Sequence, residues 1–126
     1  MFTILVVDDE EMVLGLCKRV LADVSGLHVL SATCGREALN VAGRCGSAVN
    51  MLLTEICMRG EMDGVGLAEK MEAVQPGVRI ILMSGYSCDQ FSVRSTWRFL
   101  PKPFSTTDLV VAIVQEAVGT PAVSPS

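Results

Sequence analysis

The amino-acid sequence predicts an α/β fold: a doubly wound parallel sheet of five strands, order 2-1-3-4-5, with helices on both faces. Three observations predict it. Short apolar runs alternate strictly with segments of helical period, the pattern of strand–helix–strand units. The first run, at 2–7, is continuously apolar rather than alternating, which suits a strand covered on both faces. The length, 126 residues, holds five such units in a single domain.

The elements follow in order. After the strand at 2–7, residues 11–22 place Met12, Leu14, Leu16, Val20 and Leu21 among polar positions, a helical spacing. A second strand is expected at 27–32. Residues 35–45 carry Ala38, Leu39 and Ala42 on one helical stripe. A third short apolar run occupies 49–53. Residues 64–74 are helical and closed by Pro76-Gly77, a stop signal. The fourth strand is expected at 78–83, followed by a turn at Ser84-Gly85-Tyr86-Ser87. Residues 88–95 read as a short or irregular helix. The fifth strand is expected at 97–100, and an amphipathic last helix at 106–118. The domain is therefore 1–118. Residues 119–126, with Pro121 and Pro125 among small residues, read as a flexible tail or linker stub.

This arrangement is flavodoxin-like. Its ligand crevice lies beyond the carboxyl ends of the strands, at the switch point between the first and third.

Composition narrows the function. The formal charge is −4, which argues against nucleic acid or an anionic membrane as partner. No stretch approaches the roughly 18–20 uninterrupted apolar residues a membrane span needs. The apolar start runs at once into Asp8, Asp9, Glu10 and Glu11, without the positive flank or cleavage site of a signal peptide. A cytoplasmic location is expected. Five cysteines in irregular spacing, with no C-x-x-C pair, read as unpaired small apolar residues. With His28 the only histidine, no standard zinc set can be assembled.

Several charged and polar residues follow directly on predicted strands. Asp8 and Asp9 follow the first, Glu55 the third, Ser84 the fourth and Lys102 the fifth. Each alone has an ordinary role: helix capping for the aspartates, a solvated charge for Glu55 and Lys102, a turn cap for Ser84. Together they bring carboxylates, a hydroxyl and a cation to one sheet edge. Clustered carboxylates need counter-charge, which Lys102 and a hard divalent ion such as Mg²⁺ (or Mn²⁺) supply. That set suits phosphoryl transfer.

Five pieces in order, Ile4–Glu10, Leu52–Met58, Met62–Gly64, Ile81–Tyr86 and Phe99–Phe104, give a close resemblance to the receiver domain of two-component response regulators. It covers residues 2–118. The resemblance implies that Asp8, Asp9 and Glu55 form the acidic pocket. It implies Asp9, Glu55 and the backbone carbonyl of Cys57 as metal ligands, with Asp8 acting through water. Ser84 and Lys102 would contact the phosphoryl group, and Phe99 would be the switch aromatic; with or without that role it is expected as a buried strand residue. The Lys102–Pro103 bond would be cis. The implied partners are a sensor histidine kinase or phosphotransfer protein and a downstream protein target or second copy of the chain. Such a domain is a signalling module, not an enzyme beyond weak self-phosphorylation and dephosphorylation.

The sequence departs from the family at three places. Glu55 stands where the phosphoacceptor aspartate is expected. Its extra methylene moves the carboxylate by about 1.5 Å, and a misplacement of ~1 Å near a reacting centre can cost about 100-fold in rate. Phosphorylation is therefore expected to be impaired. Arg59 stands where proline is favoured. The interval between Ser84 and Lys102 is about one helical turn shorter than usual, so the family's fourth helix should be short or irregular. That helix, the fifth strand and the last helix form the family's usual output face. Trp97 lies nearby and is expected to pack against the end of the last helix. No DNA-binding segment follows the domain in this sequence, so output by protein contact is expected. Two other readings compete: a phosphorylation-independent pseudo-receiver, and a metal-dependent phosphatase. The phosphatase needs a second aspartate two residues after Asp8, where the chain has Glu10.

Overall fold

A computed structural model describes residues 2–85 and 96–119. It contains strands β1 (Phe2–Val7), β2 (Leu27–Ala32), β3 (Met51–Glu55), β4 (Arg79–Ser84) and β5 (Arg98–Pro101). The helices are α1 (Glu11–Ala22), α2 (Gly35–Arg44), α3 (Gly64–Val74) and α4 (Thr106–Ala117). The strands form one sheet in the order β2-β1-β3-β4-β5, and all neighbours are parallel. The expected doubly wound topology is the one observed. The expected short or irregular helix at 88–95, the turn at Tyr86-Ser87 and the tail from 120 lie outside the described residues.

Both faces of β1 are covered, with Ile4, Leu5, Val6 and Val7 fully buried, which explains its unbroken apolar run. Leu5 and Val7 join Leu52, Ile80 and Leu82 beneath Ala38, Leu67 and Met71 of α2 and α3. Ile4 and Val6, one residue out of phase, join Leu53, Ile81 and Met83 beneath Leu14, Leu21, Leu109 and Ile113 of α1 and α4. The period of two in a strand deals alternate side chains to the two layers. Burial of each such aliphatic side chain is worth about 1.5–3 kcal/mol.

Helix starts are set by local hydrogen bonds. Asp63 caps α3, accepting from the Gly66 N–H at 2.8 Å. Ser105 and Asp108 form a reciprocal capping box at α4, which fixes where the chain turns after β5. Gly64 is demanded by packing. Its N–H donates to the Ile56 carbonyl at 2.8 Å, and a Cβ there would lie 2.8 Å from both Glu55 carbonyl carbon and Ile56 Cα.

Two packing expectations concern Trp97 and Phe99, and the second needs correction. Trp97 is buried, but within the α2–α3 layer, and its indole N–H donates to Glu72 of α3 at 2.9 Å. It also lines a surface hollow with Glu116, near the end of α4. Phe99 is 49% exposed, not buried. In β5, Leu100 takes the inward position under α4, so Phe99 points to the opposite face. Among the described residues, β5 is the end strand and pairs on one side only.

Candidate functional site

The crevice between β1 and β3 opens where those strands end. Val7 and Thr54 are register partners, so Asp8 and Glu55 emerge one step later on adjacent strands. Glu55 is the last residue of β3, paired with Met83. Ser84 ends β4, and its carbonyl accepts from the Lys102 backbone N–H at 2.9 Å. Four strand ends thus deliver the site.

Lys102 is its centre. The ammonium lies 2.9 Å from Asp8 Oδ2 and 2.5 Å from Glu55 Oε1. Glu10 Oε1 lies further out, at 3.5 Å. Asp8 is wholly buried and Glu55 nearly so, so each needs this cation. Burial of the ammonium works to lower its pKa. Hydrogen bonds to Glu55 and Asp8, and the charges of both, outweigh that and raise it above the ordinary 10.5. The Lys102–Pro103 peptide bond is cis.

The other carboxylate oxygens have backbone partners. Asp8 Oδ1 accepts from the Glu10 N–H at 2.8 Å, a local turn that starts the chain into α1. Glu55 Oε2 accepts from the Cys57 N–H at 3.0 Å. Asp9 Oδ2 accepts from the Arg59 N–H at 3.1 Å, with the Arg59 Nε at 4.0 Å. Ser84 is buried and donates its hydroxyl proton to the Gly85 carbonyl at 2.7 Å.

The structure therefore brings Asp8, Glu55 and Lys102 into direct contact. Asp9 stands at the rim, turned toward the loop after β3. Phe99 lies on β5, outside this cluster. The donor types suit a hard divalent cation. As folded, however, the oxygens of Asp8 and Glu55 and one oxygen of Asp9 already serve protein donors. Among the described residues, no three His, Cys, Asp or Glu side chains converge as a metal-holding group. A metal would compete with the present donors of Glu55, while Asp9 keeps Oδ1 without a protein donor among the described residues.

Three features escaped the sequence. Glu10 was legible as a first-turn acid, but its reach to Lys102 was not. The Cys57 N–H has no side-chain signature. Cys57 is also disulfide-bonded, against the expectation of unpaired cysteines, while Cys17, Cys34 and Cys45 carry free thiols. Irregular cysteine spacing says nothing about which loops the fold brings together.

A buried lysine bridging two carboxylates, at the switch point of a five-stranded parallel sheet, defines a receiver-type signalling module. The family model for the response regulator receiver domain matches residues 4–114, and the chain belongs to that family. It is 33% identical to the sensor kinase CckA of Brucella abortus (strain 2308) over 115 residues, covering 88% of this chain and 12% of that protein. It is 29% identical to the response regulator GacA of Pseudomonas aeruginosa over 130 residues, covering 99% of this chain and 59% of that protein. The chain thus spans only part of these relatives. A response regulator receiver domain protein (CheY-like) from Methanospirillum hungatei JF-1 superposes with a TM-score of 0.80 at 27% identity, covering 94% of this chain and 95% of that one. Receiver domains act in two-component phosphorelay signalling, are not themselves enzymes in the main, and bind Mg²⁺ in their acidic pocket. No helix among the described residues is long and apolar enough to cross a membrane.

Proposed function

We propose that this receiver domain transmits its signal by protein contact, with phosphorylation at position 55 impaired. One observation carries the reading. The Glu55 carboxylate is already engaged at both oxygens, by Lys102 and by the Cys57 N–H. A phosphoryl group built on that carboxylate would compete for the same two donors. The longer side chain also carries the carboxylate away from the place an aspartate would put it. Glu55 thus acts as a fixed anion of charge −1, against roughly −2 for a phosphoryl group.

In this reading Asp8, Asp9 and Glu55 are the acidic pocket. Asp9, Glu55 and the Cys57 carbonyl would hold Mg²⁺ or Mn²⁺, with Asp8 acting through water. The metal would supply counter-charge to phosphoryl oxygens. Ser84 and Lys102 would contact those oxygens, and Phe99 would report the state of the site. The functional unit is 1–118, with 119–126 a tail or linker. It works in the cytoplasm, upstream contact being with a sensor histidine kinase or phosphotransfer protein. Downstream contact is with a protein target or a second copy of the chain.

Intact-mass measurement after treatment with acetyl phosphate and Mg²⁺ tests this. The native chain should show no phosphoryl adduct, and Glu55→Asp should gain a labile one. A stoichiometric adduct on the native chain would sink the proposal.

A further inference from the structure

The loop after β3 sets a cation beside the one pocket carboxylate that Lys102 does not reach. Asp9 faces Arg59 twice: through the backbone N–H at 3.1 Å and through the guanidinium at 4.0 Å. The Arg59 side chain is 96% exposed. As a stabilising ion pair it counts for little, since water screens it and the long side chain must be ordered. Its importance is for what else Asp9 could hold.

We propose that Arg59 is a tethered counter-ion that competes with a divalent cation for Asp9. Three observations converge on this. Lys102 neutralises Asp8 and Glu55 from within the pocket. Arg59 stands over Asp9, so the three carboxylates face two built-in cations. The Asp9 oxygen without a protein donor among the described residues, Oδ1, is next to the oxygen Arg59 holds. A divalent ion arriving there is repelled by that positive charge across a separation on the order of 6 Å. At the dielectric of water that repulsion weakens binding about tenfold, and screening at physiological ionic strength reduces this to about threefold. The inference concerns metal affinity alone and stands whether or not Glu55 accepts a phosphoryl group.

Isothermal calorimetry with Mg²⁺ and with Mn²⁺, on the native chain and on Arg59→Gln, Arg59→Lys and Asp9→Asn, tests it. Arg59→Gln should bind either ion about threefold tighter near 0.15 M salt and about tenfold tighter at low salt. Arg59→Lys should match the native chain. Asp9→Asn should weaken binding, alone or combined with Arg59→Gln, which places the ion at this carboxylate. The exposed side chain makes a folding defect in Arg59→Gln unexpected, and an unchanged melting curve checks that. Equal or weaker affinity in Arg59→Gln overturns the proposal. So does a gain that persists undiminished in 0.5 M salt, or absence of binding in both proteins, because then Arg59 is not what opposes the ion.

Discussion

Replacing Lys102 by methionine keeps the length of the side chain and removes its charge. Asp8, with no exposure, and Glu55, at 6%, then face each other without a cation. Breaking a buried pair by removing one partner costs about 3–5 kcal/mol, because the remaining charge stays desolvated. Two carboxylates lose their partner here, but the native ammonium is 16% exposed, so water can enter the vacated place. We take the lower end, about 3 kcal/mol. In a chain of this size that lowers the melting temperature by about 10–15 °C. Thermal and urea melts followed by circular dichroism, in EDTA at pH 7, measure it. The penalty should shrink in a Glu55→Gln background, where one of the two orphaned charges is gone. The native protein also carries an alkaline signature. The raised pKa of Lys102 means that the folded chain holds this proton more tightly than the unfolded one. Its contribution is complete below about pH 10.5 and is lost as the pH rises through the higher folded value. Lys102→Met should lack that share of the alkaline slope. A variant that melts within about 1 kcal/mol of the native chain would refute the view that the ammonium holds these carboxylates in place.

Three further outcomes test other parts of the structure. Gly64→Ala should destabilise by about 2–4 kcal/mol, since the new methyl would meet the backbone at Glu55 and Ile56 rather than a movable side chain. Gly15→Ala, in mid-helix with nothing within 4 Å of the new Cβ, should instead stabilise by about 0.5–1 kcal/mol; urea melts of both variants decide. Burial, and secondarily the charge of Asp8, pushes the Cys17 thiol up to about 11. At pH 8 native Cys17 should resist iodoacetamide while Cys34 and Cys45 react, as peptide mass mapping would show; labelling of Cys17 at their rate would contradict its burial.

How far these features were legible varies by element. The bounds of β1, α1 and β2 follow from the apolar pattern, and those of α3 from that pattern with the Pro76-Gly77 stop. β3 does not: the apolar run implied 49–53, whereas the strand is Met51–Glu55. A hydropathy reading stops at Leu53, yet the ladder continues because Leu82 and Met83 pair with Thr54 and Glu55. The polar groups there are satisfied internally, Thr54 by the Glu55 carbonyl and Glu55 by Lys102. The convergence of Asp8, Glu55 and Lys102 was legible because strand ends in this topology share an edge. The engagement of Asp9 by the Arg59 amide was not, because loop backbone has no sequence signature. Phe99 was misread because alternation in a short strand tells which residues share a face, not which face is covered.

The contact between Lys102 and Asp8 joins positions 94 residues apart. During synthesis the acids emerge early and their cation late. A nascent chain halted before residue 102 carries Asp8, Asp9 and Glu55 without the lysine that sits among them, and it lacks α4. The pocket therefore comes into being with the last fifth of the domain. Its charge balance marks completion: a truncated product cannot present the finished signalling surface, however much of the sheet it has already formed.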